Sequence, residues 1–151
     1  MAHVEVSARI NVNPDTLWQE VGLFQGVGRW HPMLVTVEGH GETPGAVRTA
    51  HGADGSKQVE QLEEIDPQQH RYRYRMLSSA MPVRDYVAEF RVSPEDKHSC
   101  TVVWTADFQV NSGNEAEVEG RYLFFREARI AVEDERQDLT RPQQADNLLV
   151  G

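Results

Sequence analysis

The sequence has one cysteine, Cys100, in 151 residues, so no disulfide can close within the chain. A lone thiol suits a reducing compartment. Long apolar runs are missing too. The N-terminal stretch "MAHVEVSARI" alternates apolar and polar residues where a secretion signal or a membrane helix would be continuously apolar. There is no basic excess: 15 Lys and Arg stand against 24 Asp and Glu, a formal net charge of −9. A phosphate backbone or an anionic membrane surface would be repelled. The expectation is a cytoplasmic protein that neither binds nucleic acid nor inserts into a membrane, present as a monomer or a homodimer.

Several kinds of chemistry are also absent. His3, His31, His40, His51, His70 and His98 show no close pairing at ligand spacing, and one cysteine adds little to them. No metal is expected. "HGADGS" is a turn and not a phosphate-binding loop, and no nucleophile elbow occurs, so no cofactor is expected either. Cys100 opens a strand beside polar residues and reads as inert.

What remains is an ordinary globular composition, 39% hydrophobic and 26% charged, at a length that suits one domain able to enclose a core or a cavity. "HVEVSARINV" reads as a strand with one buried face. "NPDTLWQEV" then starts a short helix, with Asn13 as N-cap, Pro14 at the first helical position and Asp15 in the first turn. From Met33 to Val110 six further strands are separated by "GETPG", "GADG", "DPQQ", "SSAMP" and "SPEDKHS". Connections this short predict an antiparallel meander. Residues 115–138 carry Val118, Tyr122, Phe125 and Val132 at helical spacing, and residues 139–151 read as a disordered tail.

The prediction is an α+β domain over residues 1–138. An antiparallel sheet of about seven strands curls around a long C-terminal helix, with short helices after the first strand. Alternation sorts the side chains. Tyr72, Tyr74 and Met76, then Tyr86, Ala88, Phe90 and Val92, then Val102, Trp104, Ala106 and Phe108 form an inner set. Arg71, Arg73 and Arg75 face outward, against glutamates such as Glu63 or Glu89. Such aromatic rings with polar tips suit either a filled core or a lined cavity.

The blocks "FQGVGRWHPML", "VRTAHGADGSKQVEQLEEID", "RYRYRMLSSAMPVRDYVAEFRV" and "TVVWTADF", in this order, resemble the bacterial polyketide cyclase-like branch of the START/Bet v 1 (SRPBCC) superfamily. The resemblance implies a helix-grip fold with a hydrophobic pocket between sheet and C-terminal helix. It implies that His51 to Gly55 and Ser78 to Tyr86 are loops at the pocket mouth, the first contributing His51 and the second Met81. Glu60 and Tyr86 match pocket residues of the superfamily's plant hormone receptors. The receptors' ligand-pairing lysine is absent from "MLVTVEG".

Two residues stand out for chemistry. His31, in "GVGRWHP", and Glu60 could move a proton if they meet in the pocket; His31 could equally be bonded to backbone at a helix-to-strand corner. Tyr74 and Tyr86 would orient a substrate. Arg129, and less so Arg121, would meet developing negative charge or else extend to water. The candidate ligand-binding set is Trp30, His51, Tyr72, Tyr74, Met76, Met81, Tyr86, Phe90, Trp104, Tyr122, Phe125 and Arg129. The function expected is binding of a small apolar or aromatic molecule as a carrier or binding protein. The alternative is a cofactor-free cyclase, dehydratase or lyase.

Overall fold

The computed structural model describes residues 2–31 and 34–111. The predicted C-terminal helix, the tail, and with them Tyr122, Phe125, Arg121 and Arg129, lie outside the described residues.

Strand β1 spans Ala2–Ile10 and α1 spans Pro14–Val21. The Asn13 side chain accepts hydrogen bonds from the amides of Asp15 and Thr16, which caps α1 as its sequence predicts. A 3-10 helix, Phe24–Arg29, follows. The other strands are β2 (Leu34–His40), β3 (Val47–Gly52), β4 (Lys57–Asp66), β5 (Arg71–Ser78), β6 (Val83–Asp96) and β7 (Ser99–Val110). All pair antiparallel in one seven-stranded sheet, in the order β1-β7-β6-β5-β4-β3-β2.

The alternation in the sequence is reproduced in the burial. Tyr72, Tyr74, Tyr86, Ala88, Phe90, Val92, Val102, Trp104, Ala106 and Phe108 are buried on one face, which α1 and the 3-10 helix also meet. Register lines these residues up across strands: Tyr72 pairs with Phe90, Phe90 with Trp104, and Trp104 with Val6. On the other face Arg71 lies between Glu64 and Glu89. The expected partner Glu63 is displaced by Glu64 because a register shift between Leu62 and Glu64 moves the strand on by one residue.

Two local features hold the 3-10 helix over the β3 end of the inner face. The Glu42 carboxylate, in the β2–β3 turn, accepts from the amides of Phe24 (2.7 Å) and Gln25 (3.1 Å). Gly39, opposite Arg48 on β2, has φ +147°, and a Cβ there would lie 2.3 Å from the Val47 carbonyl oxygen. Only glycine fits so close an approach.

Candidate functional site

Among the described residues the inner face carries one buried charged pair, and its cation is a residue to which sequence reasoning assigned no role. Arg48 on β3 alternates with Ala50, and both are buried. Its register partner on β4 is Glu60, also buried. Arg48 Nε donates to Glu60 Oε1 at 2.8 Å. One Nη1 hydrogen goes to the Phe24 carbonyl at 2.6 Å, and Nη1 also reaches the Tyr72 hydroxyl at 3.4 Å. The guanidinium carbon lies 4.1 Å from the Phe24 ring centroid and 4.7 Å from that of Tyr74, within range of cation–π attraction.

Burial works against this charge, but Glu60 beside it, aided by Tyr72 and Tyr74, holds the Arg48 guanidinium above its ordinary pKa range. It stays a cation. Burial, then the negative charge of Glu60, pushes the hydroxyls of Tyr74 and Tyr86 far above the usual phenol range, so both remain protonated donors. Tyr72 is raised as well, by burial first.

His31 is buried beside this cluster. Its amide donates to the Val27 carbonyl at the end of the 3-10 helix (3.1 Å), and its ring meets Trp104 edge-on at 5.8 Å. Burial, reinforced by the positive charge of Arg48, lowers its pKa from 6.5 to about 3. The imidazole is therefore neutral at neutral pH, a poor match for a general acid or base working there. The ion-pair partner of Glu60 is Arg48, not His31. The fold thus puts Arg48 where the sequence suggested a histidine–glutamate pair.

Most of the other candidates converge. Trp30 stacks on Phe90 with centroids 5.2 Å apart and meets Trp104 at 5.9 Å. Tyr72 touches Phe90 at 5.4 Å, and the Trp104 indole donates to the Tyr74 hydroxyl at 3.0 Å. Tyr86 stacks on Phe108 at 5.6 Å. Met76 and Met81 are partly buried against the same cluster. His51 does not join it. It is three residues on from Arg48 and so points to the opposite face, where Nε2 lies 2.8 Å from Glu38 Oε1.

Arg48 escaped sequence reasoning because an arginine in the strand "AVRTAH" reads as an outward residue. The available signal was Glu60: alternation with Leu62 turns its carboxylate inward, and a buried carboxylate calls for a cation.

Over residues 1–136 the sequence matches the family described as polyketide cyclase / dehydrase and lipid transport. The chain belongs to this family. Known structures agree with the fold of a polyketide cyclase / dehydrase family member. The XoxI protein of Bacillus cereus superposes with a TM-score of 0.83 at 23% identity, over 93% of this chain and 99% of its own. A protein from Thermobifida fusca is 32% identical, over 80% of this chain and 82% of its own, with a TM-score of 0.70. The ZhuI aromatase/cyclase from Streptomyces sp. R1128 matches with a TM-score of 0.78 at 20% identity, over 93% and 96% of the two chains. Among curated proteins no match to this chain was found.

Proposed function

We propose that this chain binds a small, largely aromatic or apolar molecule against the inner face of its sheet, as a binding or carrier protein. In this reading the predicted helix of residues 115–138 completes the domain and closes a helix-grip pocket. The observation that carries the reading is the buried Arg48 guanidinium among aromatic rings. Its Nε and Nη1 donate to Glu60, Phe24 and Tyr72. The guanidinium carbon lies 4.1 Å from the Phe24 ring centroid and 4.7 Å from that of Tyr74. A ligand with an aromatic body and one anionic or strongly accepting oxygen matches that arrangement.

Titration with 1-naphthoic acid, followed by tryptophan fluorescence and by thermal unfolding, tests this. The expected result is saturable one-site binding that stabilises the fold by about 2.7 kcal/mol at a hundredfold excess over Kd. Arg48→Met should weaken that binding at least tenfold. No saturable binding of naphthoate or of any uncharged naphthalene would overturn the reading.

The second reading is a cofactor-free cyclase, dehydratase or lyase, and the Arg48–Glu60 contact is what favours it. Glu60 would take a proton from carbon. Arg48 would stabilise the resulting enolate, with the protonated Tyr74 and Tyr86 donating hydrogen bonds to the same substrate. Conversion of an aromatic 1,5-diketone with loss of one water, read by mass spectrometry and abolished in Glu60→Gln, would establish this reading over the first. Unchanged diketone would reject it.

A further inference from the structure

The buried indole of Trp30 supports an inference that rests on the ligand-binding reading and deepens it. Trp30 directly follows the 3-10 helix, and its amide is held by the Val27 carbonyl at 3.3 Å. The residue is 5% exposed, and its Nε1 has no hydrogen-bond partner among the described residues. The nearby Trp104 indole, by contrast, donates to the Tyr74 hydroxyl. Indole nitrogen is a donor only, and buried donors in folded proteins are almost always paired.

We infer that the Trp30 indole N–H belongs to a ligand subsite and donates to an uncharged carbonyl oxygen on a bound aromatic ketone. The surroundings select both features. Phe90 stacked on the Trp30 ring and Trp104 against its edge favour another flat ring. His31, the third ring in contact with Trp30 among the described residues, is neutral because of burial and the charge of Arg48. The guanidinium itself lies against Phe24, Tyr72 and Tyr74. A carboxylate beside Trp30 would lose its water and gain one neutral donor, which does not offset the loss of hydration. A ketone oxygen needs only that donor. An anionic group fits at Arg48, and a neutral acceptor fits at Trp30.

The test uses two probes of nearly equal shape, 1-acetonaphthone and 1-ethylnaphthalene, which differ in the carbonyl. Binding is measured by calorimetry on the whole chain, and the three tryptophan indole N–H resonances are followed by NMR. The Trp30 resonance is assigned by its loss in Trp30→Phe, or by elimination with Trp18→Phe and Trp104→Phe. The inference expects the ketone to bind about five- to tenfold more tightly, the gain from one neutral hydrogen bond. It also expects the Trp30 N–H resonance to move downfield with the ketone and not with the hydrocarbon. In Trp30→Phe the preference between the probes should vanish. Equal binding of both probes with an unmoved Trp30 resonance would overturn this inference and leave the ligand-binding reading standing. Binding of neither probe, together with failure of naphthoate, would overturn both.

Discussion

Arg48 and Glu60 face each other across β3 and β4, their side chains 1% and 7% exposed, with Nε and Oε1 2.8 Å apart. The cation is held by groups from three elements: Glu60, the Phe24 carbonyl and the Tyr72 hydroxyl. Removing one partner of such a pair leaves the other charge buried and uncompensated. Glu60→Leu alone should cost roughly 3–5 kcal/mol in urea unfolding, and the double variant Arg48→Met with Glu60→Leu much less. Similar losses in the single and double variants would mean that the pair does not act as a coupled unit.

His31 predicts a particular pH dependence. Its pKa is about 3 in the folded chain and 6.5 as the ordinary value expected on unfolding. As pH falls, the unfolded chain takes up this proton first. The contribution of His31 is therefore complete above about pH 6.5 and is lost progressively as pH falls toward 3. The slope cannot exceed about 1.4 kcal/mol per pH unit. Between pH 6 and pH 4 the wild type should lose roughly 2 kcal/mol more stability than His31→Gln. Parallel stability profiles for the two proteins would show that the imidazole is not held neutral.

Glu42 clamps the 3-10 helix through two charge-assisted hydrogen bonds to backbone amides. Glu42→Ala should cost about 2 kcal/mol, and the near-ultraviolet circular dichroism of the tryptophans should change because Trp30 and His31 follow that helix directly. A variant with unchanged Tm and spectrum would remove this clamp from the account of the site.

Asn13 caps α1 and also donates from Nδ2 to the Lys97 carbonyl at 3.0 Å. Asn13→Ala should destabilise the fold by about 1 kcal/mol, measured by chemical denaturation. Asn13→Asp keeps the capping oxygen and should recover most of that loss; failure to recover would place the weight on the Lys97 contact.

The strands were legible because alternation along one strand is a local property. Tyr72 and Tyr74, or Phe90 and Val92, can be assigned to one face without knowing what covers them. The N-cap at Asn13 and the short turns between strands are equally local. The candidate site was legible only as a set of inward aromatic residues. Its charged centre was not, because Arg48, Glu60, Phe24 and Tyr72 are brought together by strand register and by the placement of the 3-10 helix.

By itself the sequence determined the succession of strands along the chain, their antiparallel meander, the inner aromatic face and membership of a family, since these follow from periodicity, turn chemistry and residue type. The pairing of β1 with β7 was decided by the tertiary structure. The tertiary structure decided the charges. It turned Arg48 inward to Glu60, separated His51 from the cluster, and made His31 neutral. A pKa or an ion pair depends on desolvation and on charges carried by other elements, and neither is a property of the segment in which the residue stands.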